Sequence, residues 1–245
     1  MVGTVDAREI KNFEAMAEAW WDTGGDFRPL HLLNPVRIDY IRNHLCASFG
    51  RDLQSPEPLK GLRLLDVGCG GGLLCEPMAK MGADITGIDA GEKNIRIAKI
   101  HAKQSGLAID YRNGSVETLA RSGERFDVIL NMEVVEHVAD RRLFLRSCGI
   151  LLKDGGAMIL STLNRTMKSF VFAIIGAEHV LRWLPHGTHQ WNKFVRPSEL
   201  ADELKENSLV ITHITGVSYD PLTGAWRLSN DINVNYMIFV TKEGP

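Results

Sequence analysis

The sequence predicts an α/β domain: a mostly parallel sheet of seven strands with helices on both faces. Three observations predict it. From residue 62 onward, short apolar runs alternate with helical patterns across short loops. A glycine cluster, Gly68-Cys69-Gly70-Gly71-Gly72, joins the first run to the helix after it. A carboxylate, Asp89, closes the next run.

A helical extension, 1–55, comes first. Residues 6–21 read as a helix because Ile10, Phe13, Met16, Ala17 and Trp20 recur at helical spacing. Pro35 opens a second helical pattern, at a position where proline's missing N–H costs nothing. Ile38, Ile41, Leu45 and Phe49 give that helix its apolar face. Two prolines in Ser55-Pro56-Glu57-Pro58 forbid a continuing helix, so this stretch is a linker. Strands follow at 62–67, 84–88, 108–111, 126–131 and 157–162, the last after a turn at Asp154-Gly155-Gly156. Helices fall at 73–81, with Pro77 inside, at 92–104 and at 143–152. An apolar insertion, 166–190, breaks the rhythm and is too short to span a bilayer. A helix at 197–206 and strands at 209–216 and 234–240 close a single domain, 1–245.

Composition narrows the class. Apolar residues make up 44% and charged residues 24% of 245, ordinary for a globular domain. A net charge of −2 exerts no global pull toward nucleic acid. The polar, mixed-charge start, 1–11, lacks the layout of a secretory signal. None of Cys46, Cys69, Cys75 and Cys148 forms a C-x-x-C pair, so neither a zinc site nor a disulfide framework is expected. A reducing, cytoplasmic compartment suits such cysteines.

Between a strand and a helix, glycines let the backbone approach a ligand closely, and the helix start favours a negative group. Asp89, at the next strand end, is placed to accept hydrogen bonds from a ribose diol. A dinucleotide or S-adenosylmethionine fits this logic. The dinucleotide fingerprint requires glycine or alanine where Leu73 stands, which weakens that reading. Asp66, two residues before Gly68, can help hold a ligand ammonium. Asp66-x-Gly68-x-Gly70-x-Gly72 resembles the loop of class I methyltransferases. That resemblance implies a Rossmann-like sheet with an antiparallel last strand, and S-adenosylmethionine as the bound ligand.

The segment after the fourth strand is Asn131-Met132-Glu133-Val134-Val135-Glu136-His137-Val138. It resembles the E-x-x-E-H-V stretch of many small-molecule methyltransferases, in which Met132 would lie against the adenosine. Glu133, Glu136 and His137 share one face if the segment is helical. Two carboxylates and an imidazole there can hold a hard divalent cation such as Mg²⁺, or act as general bases. They can also do no more than stabilise a helix start.

A closer match runs from about Ile10 to Met237. Its markers are Phe13-Glu14, Trp20-Trp21-Asp22, Pro29-Leu30-His31 and Asn34-Pro35-Val36-Arg37. Further ones are Ala98-Lys99-Ile100-His101-Ala102, Ser161-Thr162-Leu163-Asn164-Arg165, Gly176-Ala177-Glu178 and Gly187-Thr188-His189. His213-Ile214-Thr215-Gly216 and Val234-Asn235-Tyr236-Met237 complete them. With these the chain resembles the O-methyltransferases of ubiquinone biosynthesis, residues 54–59 standing out as a local insertion. The resemblance implies two O-methylations on a polyprenylated ring, one on an early catechol and one on a late demethylubiquinol. It carries cofactor contacts onto Arg37, Gly68, Asp89 and Met132, with Arg37 at the cofactor carboxylate. It associates a divalent cation with Glu133, Glu136 and His137.

A phenol titrates near 10, so an attacking hydroxyl is mostly neutral at pH 7 and needs a base or a cation. His137 is the candidate base; Glu133, Glu136 and His137 are the candidate metal ligands. His189 is a further candidate at the substrate mouth. The insertion has two open roles. It can cap the site, or its Phe170, Phe172 and Trp183 beside Arg165, Lys168 and Arg182 can meet a membrane's inner face. Methylation of another phenol or quinone, and a catalytically idle scaffold in a quinone-biosynthesis complex, are the alternative functions.

Overall fold

A computed structural model describes residues 3–170, 191–220 and 223–244. Eight strands form one sheet: β1 (Arg63–Val67), β2 (Asp84–Asp89), β3 (Asp110–Asn113), β4 (Phe126–Met132), β5 (Leu152–Leu163), β6 (Leu209–Asp220), β7 (Ala225–Ser229) and β8 (Asn235–Lys242). Their order is β3-β2-β1-β4-β5-β8-β6-β7. The first five pair in parallel, and β8 runs antiparallel to both β5 and β6. The expected seven strands are therefore present with the antiparallel last one. An eighth, β7, is added antiparallel to β6 at the sheet edge. Its Trp226-Arg227-Leu228-Ser229 alternation is a short strand signal that lay outside the seven expected strands.

β1 and β4 are buried on both faces, as parallel strands covered by helices must be. One face packs on α2 (Arg28–Ser48), α3 (Cys75–Lys80) and α4 (Glu92–Gln104) through Ile41, Leu45, Met78, Ile95 and Ala98. The other packs on α5 (Val116–Ala120), α6 (Arg141–Leu151) and α8 (Pro197–Lys205), through Leu119, Phe144, Leu145 and Leu200; α8 follows the single turn α7 (Met167–Ser169).

The extension departs from expectation in two places. The helix expected over 6–21 is α1 (Ala7–Ala15), capped by Asp6, followed by a 3-10 turn at Ala17–Ala19. The second helix starts about two turns earlier than Pro35: Pro29 occupies the first turn, and Pro35 sits in the interior of α2. An interior proline costs about 3 kcal/mol in a helix. Burial of Leu33, Asn34 and Arg37 around it, and an Asn34 side-chain bond to the Leu73 carbonyl, hold the helix through it. Pro77 falls in the first turn of α3, where N–H groups have no intrahelical partner. Most of the insertion, including His189, lies outside the described residues.

Candidate active site

The carboxyl ends of β1, β2 and β4 open onto a cavity of about 780 Å³ that continues beneath the β6–β7 hairpin. Gly68, Gly70, Asp89, Met132, Glu133, Glu136, His137 and Arg37 all line it. At Gly68 the backbone takes φ +70°, and a Cβ there would meet Val134 Cγ2 at 2.6 Å. Gly70, at φ +52°, lies directly against the Trp20 ring. Only glycine leaves this cradle open. Asp89 Oδ2 accepts from Gly70 N at 2.9 Å, and its Oδ1 accepts from Gly91 N and Asn94 Nδ2. A carboxylate accepts about four hydrogen bonds, so Oδ2 retains capacity for a hydroxyl of a nucleoside. Burial pushes the Asp89 carboxyl up against those three donors.

Asp66 is the expected site residue that the fold keeps out of the cavity. Its carboxylate is buried at 3% exposure and accepts from Cys75 Sγ at 3.2 Å. Burial pushes it up to about 7. β1 turns this side chain toward α3, because alternate residues of a strand face opposite sides of the sheet. Asp66 therefore supports the loop from behind.

The Glu133–His137 stretch is a turn rather than a helix. Glu133 sits at φ +58°, a left-handed conformation costing a non-glycine residue about 1–2 kcal/mol. That reversal at the end of β4 still brings the acids together. Arg37 donates to Glu133 Oε1 at 2.7 Å, as does Ser161 Oγ. Thr162 Oγ1 donates to Glu136 Oε2 at 2.8 Å. Burial works to raise the Glu133 carboxyl, but Arg37, Ser161 and Glu136 hold it below its usual range. Burial and the Glu133 charge push Glu136 up, so the pair shares one proton near neutral pH. Arg37 Nε is buried without a partner among the described residues, which leaves a donor for a further acid.

His137 is held from outside the sheet. Its Nδ1 lies 3.2 Å from Glu9 Oε2, and Phe13 meets the ring edge-on. Burial lowers the imidazole's pKa, but the Glu9 bond and the Glu136, Glu9 and Glu133 charges raise it more. Glu9, Asn94, Ser161 and Thr162 were not legible as site residues. Their partners are remote in sequence, and only Asn94, at the start of the helix after Asp89, carries a local signal.

The three candidate metal ligands do not fit a divalent cation as they stand. Among the described residues no cluster of three His, Cys, Asp or Glu side chains can hold one. Arg37 already places a positive charge on Glu133, where it competes with a bound cation. The cradle, the acceptor on Asp89 and the adjacent Met132 do fit S-adenosylmethionine.

A family model described as a methyltransferase domain matches residues 38–214. The ubiquinone biosynthesis O-methyltransferase of Roseobacter denitrificans is 57% identical over 235 residues, covering 96% of this chain and 95% of that protein. The protein of that name from Chelativorans sp. is 55% identical over 239 residues, covering 98% and 94%. Among solved structures, the magnesium protoporphyrin IX methyltransferase of Synechocystis with bound SAH is 20% identical, with a TM-score of 0.63 over 89% of this chain and 86% of that one. That structure supports the fold. With its cofactor cradle and with relatives matching nearly end to end, the chain belongs to the S-adenosylmethionine-dependent methyltransferases, among the ubiquinone biosynthesis O-methyltransferases.

Proposed function

We propose that the chain methylates ring hydroxyls of polyprenylated catechol and demethylubiquinol intermediates of ubiquinone biosynthesis. One observation carries the reading. A single cavity joins the glycine cradle to His137 and then to an apolar wall of Leu30, Leu33, Leu163, Val217, Trp226 and Val234. S-Adenosylmethionine supplies an electrophilic methyl group. Gly68, Gly70, Asp89 and Met132 form its cradle, and the spare Arg37 donor suits its carboxylate. His137 accepts the proton of the attacking hydroxyl. The Arg37–Glu133 pair balances charge beside the base, and Glu136, pushed up to about 7, is a second group there that titrates near neutrality. Positioning supplies much of the acceleration, because oxygen, methyl carbon and sulfur must lie in line.

The apolar wall makes the acceptor's tail a binding element. In competition, a short-prenyl catechol is expected to show a kcat/KM at least about tenfold above unsubstituted catechol, since each buried CH₂ contributes about 0.8 kcal/mol. Equal values would point to the alternative of a simple phenol substrate.

The tail also favours contact with a membrane surface. Near the insertion, Met167 is 71% exposed and Phe170 is exposed beside Lys168. No helix among the described residues is long and apolar enough to cross a membrane. Vesicle co-sedimentation is expected to fall when 169–184 is deleted; unchanged sedimentation would remove this contact. Membership of a larger quinone-biosynthesis complex rests on the family resemblance, and co-purification from native extract tests it.

A further inference from the structure

Helix α1 reaches the candidate base from outside the sheet. Glu9 lies in its first turn and lines the cavity together with Ile10 and Phe13. Glu9 Oε2 is 3.2 Å from His137 Nδ1, and Oε1 is 2.9 Å from Lys193 Nζ. Lys193 Nζ also reaches Asp6 at 3.4 Å. The Phe13 and His137 ring centroids are 5.3 Å apart and nearly perpendicular. Glu9 thus holds the imidazole nitrogen, Phe13 its ring, and Lys193, from a distant part of the chain, the Glu9 carboxylate.

We propose that Glu9 is the positioning residue for His137, and that the base is assembled only while α1 lies over the cavity. The inference rests on the reading of His137 as proton acceptor. A neutral imidazole donates from one nitrogen and accepts at the other. Glu9 is ionised, its carboxylate paired through Oε1 with Lys193 Nζ at 2.9 Å. An ionised carboxylate only accepts, so it fixes the proton on Nδ1 and leaves the Nε2 lone pair for the substrate. As the ring oxygen forms its bond to the methyl carbon and the methyl–sulfur bond breaks, the hydroxyl proton moves to Nε2. The imidazolium so formed lies against the Glu9 charge, which stabilises it. Phe13 sets the ring plane, and Lys193 fixes the carboxylate.

The seating of α1 is light enough to open. No residue of α1 is fully buried. Besides the Glu9 and Asp6 contacts, the segment is tied down by Thr4 N to Glu117, Ala139 N to the Thr4 carbonyl, and Lys93 N to Glu14. Few buried contacts mark a unit of low local stability. Opening α1 would separate Glu9 from His137 and release the imidazolium proton to solvent.

Two measurements on the full chain test this. The first is ¹⁵N NMR of labelled histidine without cofactor, with His137 assigned by its loss in His137→Gln. The native protein is expected to show His137 protonated at Nδ1, and Glu9→Gln a mixture of tautomers. The second is steady-state methyl transfer. Glu9→Gln is expected to lower kcat by about ten- to a hundredfold while KM changes little, less than the full acid–base contribution because His137 itself remains. Glu9→Asp, which keeps the charge, is expected to recover more of kcat than Glu9→Gln. A purely structural Glu9 would instead raise KM at unchanged kcat. Wild-type kcat and tautomer in Glu9→Gln, with His137→Gln inactive, would overturn the positioning role alone. Full activity of His137→Gln would overturn the base reading and this proposal with it.

Discussion

His137 accepts a proton only when neutral, and its pKa is raised above its ordinary 6.5 by Glu9, Glu136 and Glu133. A base whose pKa is raised is protonated, and idle, below that raised value. The kcat profile is therefore expected to rise with pH through a limb above 6.5 and then level off. A limb well below 6.5 would mean that another group is the base. At this scale the motif Glu133-Val134-Val135-Glu136-His137 was legible in sequence, since its residue types name their chemistry. Its geometry was not. A left-handed Glu133 opens a turn there rather than a helix, because the strand end and the Ser161 carbonyl bonded to Glu133 N set the backbone. Nor could spacing show that Arg37 meets Glu133, or that Glu9 meets His137: such contacts exist only once the chain is folded.

Among the elements, the glycine loop and its flanking strands were the most legible. Their signals are local: apolar runs, turn glycines and a closing acid. Short or tertiary-dependent elements were less so. α5 has five residues and rests on a Ser115 cap; among the described residues β7 pairs only with β6. The interior Pro35 misplaced the start of α2, because burial of Leu33 and Arg37 outweighs proline's local cost. The loop gives a sharp prediction. Gly68→Ala combines left-handed strain of about 1–2 kcal/mol with a close approach to Val134. Calorimetric titration is expected to show S-adenosylmethionine binding weakened by at least about tenfold. An unchanged Kd would mean that the cradle is not the cofactor site.

The molecule as a whole divides its labour along the sheet. The parallel half, β3-β2-β1-β4-β5, carries the cradle and the acids at its strand ends. The antiparallel half, β8-β6-β7, adds Val217 and Trp226 to an apolar wall that Leu30, Leu33 and Leu163 continue, the surface proposed for the acceptor. The N-terminal extension closes over both: Trp20 donates to Asn94, which donates to Asp89, while Glu9 meets His137. The central claim is ring O-methylation carried by the chain's own residues. Its most direct test is transfer of labelled methyl from S-adenosylmethionine to a short-prenyl catechol in excess EDTA. The expected result is label on a ring oxygen at the rate seen without EDTA. Cofactor bound with no label on the ring, or label only after a divalent cation is returned, would contradict it.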